Sequence, residues 1–446
     1  MSYRKQTVFG AIGVATLLTI PWNGRWLFEV GHGLSTLLTV AVSGIAILGA
    51  SFLLTWGAET AEKDVPRAFA IAVLAVLAVA PEYAVDALYA WNAGLFAGTD
   101  RGIEAGNLAV ANMTGANRIL IGIGWAGIAL FTIWRAGASA DPAVVRREGV
   151  LADAVTLDRD VGLEIAFLLA ATLWAFAVPL GGGIGIVDMA VLVGLYVAYL
   201  VIVLRTGSGA EESDEHAGVP AALQQLATPY RWLAVLGLFV YSGLIIFTAV
   251  EPFAHGLEQL GTQVGVPSFF MIQWIAPLAS ESPELIVVVV LVSKARSTAG
   301  FNALISSKLN QWTLLIGTLV VVYSVALGRY GALPFDLKQA GEIWLTAAQS
   351  LFALALISNF EISVREALAL FTLFVAQVGI EFLAIRGVVD LPVTQFEVLM
   401  AFSAVYVALA AGLFVARRRA VARLFGQVRD AVSRSVASEG RPRHAD

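Results

Sequence analysis

The sequence contains no cysteine, which excludes disulfides, thiolate metal sites and cysteine nucleophiles. Charge is also scarce: Asp, Glu, Lys and Arg make up 14% of the 446 residues, against roughly 25% in a soluble globular domain. Histidine is limited to His32, His216, His255 and His444, too few and too scattered for a zinc cluster. There is no GxxxxGK(S/T) phosphate loop and no GxGxxG set between strand and helix, so both nucleotide-binding signatures are missing. No cofactor and no nucleic-acid partner are expected.

Apolar residues, by contrast, make up 58% of the chain, and the mean hydropathy is +0.79. A soluble protein of this size cannot cover its surface with so few charges, so the chain reads as an all-α polytopic membrane protein. An apolar stretch of about 20 residues spans the hydrocarbon as a helix. Twelve are expected, at 6–22, 33–57, 67–91, 107–134, 161–179, 184–205, 230–250, 267–294, 300–328, 341–359, 362–386 and 393–416. The first follows Arg4 and Lys5 like a signal peptide, but Pro21-Trp22-Asn23-Gly24 is not a small-x-small cleavage site, so it is kept as a helix.

Lys and Arg in short loops favour the cytoplasm. In this alternation 21 fall on the side of the N-terminus and 5 on the other, which places both termini in the cytoplasm of an inner or plasma membrane. Arg118 and Lys308 fall inside spans. The sequence divides into a first transmembrane half (1–205), a linker (206–229) with the acidic run Glu211-Glu212-Ser213-Asp214-Glu215, a second half (230–416) and a basic tail (417–446). The linker is expected to be solvated, with a regulatory cation-binding loop as the alternative, and Arg417-Arg418-Arg419 to act as a stop-transfer signal or a contact for anionic lipid.

The two halves repeat a pattern. Ala80-Pro81-Glu82 is followed by Gly106-Asn107 through Asn112, and Ser282-Pro283-Glu284 by Phe301-Asn302 through Ser307. An offset of 195 pairs Asn107 with Asn302 and Gly122 with Gly317; an offset of 190 pairs Asn112 with Asn302 and Arg118 with Lys308. Both registers are open at this point. The Glu82 span starts inside and the Glu284 span outside, so the halves are inverted. Both acids fall roughly 22–26 Å along their helices at about 1.5 Å per residue, near mid-membrane. Inverted repeats with polar groups meeting at mid-depth are the architecture of secondary transporters.

A carboxylate at that depth needs a partner, a proton or a cation. Pro81 and Pro283 each remove a helix hydrogen bond and free a carbonyl, and carbonyls with carboxylates are hard ligands for Na⁺, Ca²⁺ or protons. Glu281 lies one turn before Glu284 and Asp86 one turn after Glu82, which places a second acid on each face to tune proton affinity or to bond a neighbouring helix. Ser306 and Asn310 share a helical face; in the first half Asn107, Asn112 and Asn117 supply oxygens. Lys308 lies opposite the Ser306 face and is expected to pair with an acid on another helix. Arg118 and Lys308, if they reach the carboxylates, would substitute for a cation.

At these residues the sequence resembles the sodium/calcium exchanger superfamily, whose repeats carry T-S-x-P-E followed by G-N-x-x-G-S-N-x-x-N. The resemblance covers 67–134 and 267–328. It implies two inverted five-helix repeats, here with an extra helix at each end. It also implies that Glu82 and Glu284 are the paired acids for the transported cation, with Ser280 in the family's Thr position and Ser306 and Asn310 in its later Ser and Asn positions. Ala78 and Val79 replace the first-repeat hydroxyls that serve Na⁺ in the family, Glu281 replaces a Ser, and Phe301 replaces a Gly.

The expected function is a cation antiporter that exchanges Ca²⁺ against Na⁺ or H⁺ by alternating access. A monovalent Na⁺/H⁺ antiporter and a non-transporting membrane sensor or scaffold are the alternatives. Without a His-bearing metal motif or a Ser–His pair at membrane depth, an enzyme is not expected.

Overall fold

The computed structural model describes residues 2–28, 34–65, 79–137, 141–206, 218–388 and 393–437. Helices dominate: α1 Ser2–Phe28, α2 Thr36–Ala61, α3 Ala80–Leu95, α4 Asp100–Arg135, α5 Gly162–Ala175, α6 Ile186–Thr206 and α7 Thr228–Val264. There follow α8 Ser268–Ser293, α9 Ser297–Leu327, α10 Leu337–Ile357, α11 Val364–Ile385, α12 Gln395–Ala416 and α13 Arg418–Ala437. Their ends follow local chemistry. Ser363 with Glu366 and Thr394 with Glu397 form capping boxes at α11 and α12, satisfying amides that the helix leaves open. Gly265 and Gly328 end α7 and α9 with φ of +70° and +73°, a conformation glycine adopts without strain.

The all-α polytopic class is what the composition demanded. Among the described residues ten helices are long and apolar enough to cross a membrane, rather than twelve. The expected first span folds as α1 but is not among the ten, and the third begins in 66–78, outside the described residues. The acidic run Glu211–Glu215 and residues 438–446 also lie outside them.

Two elements were not anticipated. Much of the basic tail is helical: α13 buries Leu424, Ala420 and Ala431 against α5 and α6, and Gly162 at the head of α5 makes room for Gln427 and Leu424. The segments Val144–Val145, Ala154–Thr156 and Glu361–Ser363 form a three-stranded antiparallel sheet, β1-β2-β3, with Val155 opposite Ile362. Two or three residues per strand are too few for an alternating pattern to stand out in the sequence.

The chain forms two compact units that interleave along the sequence. The first comprises 1–116 and 213–283, the second 117–212 and 284–446. Two of the motif-bearing helices, α4 and α8, are divided between them. In the first unit α7 lies along α2, and Gly44 and Gly57 of α2 admit Phe253 and Phe239 of α7, the small-residue packing that holds helices together in lipid. The outer side of α7 is apolar, with Leu233, Val240 and Phe247 each more than 60% exposed, as a lipid-facing stripe requires. In the second unit α10 is the most enclosed helix, packed along α12 and against α5.

Within each unit the contacts between span ends agree with the expected alternation. Asp64 pairs with Arg231, four expected spans away, and Tyr89 donates to Glu258 at 2.6 Å. In the second unit, β2 pairs with β3 and Ile184 bridges Leu333. Every such contact joins ends assigned to the same face.

Candidate functional site

In the first unit, α3 opens with Ala80-Pro81-Glu82. Pro81 sits in the first turn, where its missing N–H removes no helix bond. The expectation that Pro81 frees a carbonyl inside a helix is thus corrected for the described residues. Glu82, 4% exposed, gains instead from the amide dipoles at a helix start. One turn on, Asp86 is buried, and its Oδ1 accepts the side-chain N–H of Asn112 on α4 at 2.9 Å. Asp86 Oδ2 and Asn112 Oδ1 are buried without a hydrogen-bond partner. Asn107 lies more than a turn earlier on α4 and is half-buried.

Ser280 and Glu281, on α8 in the same unit, are buried. Ser280 Oγ lies 3.3 Å from the Pro277 carbonyl and 3.5 Å from that of Ala276, so its own helix engages it. Pro277 lacks the N–H that would otherwise meet the Gln273 carbonyl. There α4 comes so close that a Cβ on Gly115 would lie 1.8 Å from the Gln273 oxygen; only glycine permits this approach.

In the second unit, Glu284 is half-buried and Ser307 Oγ donates to its Oε2 at 2.9 Å. Ser306 is half-buried and Asn310 is 4% exposed. The hydroxyl that meets the motif acid is therefore that of Ser307, next to the residue singled out in the sequence. Asn302, one turn earlier on α9, has a buried side-chain oxygen with no hydrogen-bond partner. Ser307 and Asn302 were both visible in the motif, but spacing alone did not show which member of the Ser-Ser pair faces the acid.

The backbone settles the repeat register. The two Asn-bearing helices each contain a π-helical turn, Leu120–Trp125 in α4 and Gln311–Leu315 in α9, and their bounds differ by 191 and 190 positions. The offset of 190 is the one the backbone follows. It matches Asn112 with Asn302, Asn117 with Ser307 and Arg118 with Lys308. The matched asparagines both retain a buried side-chain oxygen without a donor.

The two bases have distinct surroundings. Arg118 is fully buried and donates to Glu342 of α10 at 2.5 Å and to Gln377 of α11. Gln377 donates in turn to Glu381 at 3.2 Å, and Lys338 lies 3.5 Å from Glu342 and 3.6 Å from Glu381. This cluster was missed by the sequence reading, although its acids are isolated polar residues in apolar stretches. Lys308 is expected from the sequence to pair with an acid on another helix; the partner it meets on α4 is an amide residue, Asn117, to whose carbonyl oxygen it donates at 3.3 Å and to whose side-chain oxygen it donates at 2.8 Å. Among the described residues no three histidines or carboxylates cluster as a metal site.

A family model described as sodium/calcium exchanger protein matches residues 35–205 and 234–383. A comparison with curated proteins finds no match. Among solved structures, the H⁺/Ca²⁺ exchanger CAX is 42% identical, with a TM-score of 0.82 over 95% of this chain and 98% of its own. Native YfkE shares the fold at 16% identity, with a TM-score of 0.55 over 84% of this chain and 98% of its own.

Proposed function

Because this chain belongs to the sodium/calcium exchanger family, we propose that it is an antiporter exchanging Ca²⁺ for protons, with Glu82 and Glu284 as its principal cation-binding carboxylates. The observation that carries this reading is that each unit by itself holds buried acceptors left without donors: Asp86 Oδ2 and Asn112 Oδ1 in the first, Asn302 Oδ1 in the second. A buried polar atom without a partner costs about 1–3 kcal/mol. Oxygens alone are the ligands that hard cations prefer.

A bare carboxylate inside a membrane is unstable. Either Ca²⁺ or a proton neutralises it, and binding one as the other leaves is the exchange. Asp86 and Glu281 take part as proton carriers beside the two principal acids, and Asn107, Asn112, Ser280, Ser306 and Asn310 are the candidate neutral ligands. The proton is favoured over Na⁺ by the loss of hydroxyls at Ala78 and Val79 and by the similarity to an H⁺/Ca²⁺ exchanger. The ions are substrates and no cofactor is required. The Lys and Arg distribution supports an inner or plasma membrane with both termini cytoplasmic.

The test is radioactive calcium uptake into liposomes holding the purified protein, under an outward proton gradient and, separately, an outward Na⁺ gradient. Uptake is expected with protons and is expected to vanish in Glu284→Gln while that variant still inserts and folds. Equal uptake by Glu284→Gln would overturn the assignment, and uptake driven by Na⁺ alone would replace the coupling ion.

A further inference from the structure

Lys308 is 0% exposed, and burying an ammonium costs several kcal/mol unless its surroundings replace water. Three groups do so. Nζ faces the main-chain oxygen of Asn117 at 3.3 Å and its side-chain oxygen at 2.8 Å, and lies 4.4 Å from the centre of the Trp312 ring. Two oxygens and an aromatic face are groups that bind a monovalent cation.

Asn117 and Arg118 lie just before the π turn of α4, where the change of hydrogen-bond pattern interrupts the i to i+4 ladder. Side chains use both carbonyls there: Lys308 bonds that of Asn117, and Gln349 donates to that of Arg118 at 3.4 Å. Lys308 itself lies three residues before the matching π turn of α9.

We propose that Lys308 is a tethered monovalent cation: its ammonium permanently fills a cation pocket formed by Asn117 and Trp312, and so closes that pocket to Na⁺ and K⁺. In the exchange proposed above, this makes Lys308 a specificity determinant that keeps Na⁺ from serving as counter-ion. The coupling part rests on that reading; the pocket itself does not.

Shortening the side chain vacates the pocket while the oxygens remain. Purified Lys308→Ala, and Lys308→Ser as a milder truncation, would be unfolded thermally in NaCl, KCl and choline chloride at equal ionic strength. The parent protein is expected to melt at the same temperature in all three. Lys308→Ala is expected to gain about 2 °C or more in Na⁺ or K⁺ at tenfold excess over Kd, saturably, and to lose the gain when Asn117→Ala is added. Folded variants with no cation-dependent shift would overturn the proposal. If neither variant folds in choline, recovery of folded protein in NaCl or KCl supports the pocket, and failure in all three salts overturns it. A parent protein that moves no calcium would defeat the exchange reading and leave the melting result standing.

Discussion

Arg118 shows how one side chain ties distant parts of the second unit together. Neither its guanidinium nor Glu342 reaches solvent, and Gln377, Glu381 and Lys338 continue the network. Removing one member of a buried ion pair leaves the other charge uncompensated, at about 3–5 kcal/mol. Glu342→Gln is therefore expected to lower unfolding stability by about 3–5 kcal/mol in detergent, with Arg118→Met in the same background recovering part of the loss. No recovery would show that the cost lies in packing around Glu342. The sequence revealed Arg118 as an intramembrane charge, but Glu342 lies 224 positions away and only the fold brings them together. In the same way the Ser306-Ser307 pair was legible as a polar patch, whereas the choice of Ser307 for Glu284 depends on how α9 is rotated.

At the scale of elements, long apolar helices announce themselves by composition, and their ends by capping residues such as Ser363 and Thr394. The short sheet does not, because its stability comes from partners. Arg146 pairs with Asp153 at 2.6 Å and Arg147 with Glu361 at 2.5 Å. The Asp153 carboxyl is held below its ordinary 3.8 by the Arg147 backbone N–H and the Arg146 guanidinium. A depressed folded pKa contributes stability that is present above the unfolded value and is lost as pH falls through the folded one. Protease protection of Val144–Thr156 is expected to hold from neutral pH down to about 4 and to fall below that. Asp153→Asn is expected to weaken protection at neutral pH toward the level the parent shows in acid, and so to flatten this dependence. The two motif prolines show a related limit: Pro81 and Pro283 look alike in sequence, yet one starts a helix and the other lies inside one. The π turns, which decide the repeat register, leave no sequence signature of their own.

For the whole molecule, the absence of cysteine makes topology directly measurable. Val150 and Leu180, 78% and 76% exposed, stand at opposite ends of the span through α5. With both termini cytoplasmic, a membrane-impermeant maleimide is expected to label Leu180→Cys in intact cells and Val150→Cys only after permeabilisation. The reverse pattern would invert the charge-based orientation. The alternation itself was legible from hydropathy, and the contacts between span ends agree with it. The interleaving of the two units was not, because it depends on which helices pack together rather than on which are apolar.

Arg417 links α12 to structure made well before it. It donates to the Ala355 carbonyl at 3.2 Å and the Asn359 side chain at 3.0 Å, and also to Leu356 and Glu366. Glu366 leaves the ribosome 51 residues earlier. Until Arg417 emerges, the carbonyl end of α10 and the acid at the head of α11 must be solvated by water or headgroups. This corner of the second unit therefore stays open until α12 is complete, and a nascent chain halted before α12 would present it, hydrated, to the insertion machinery.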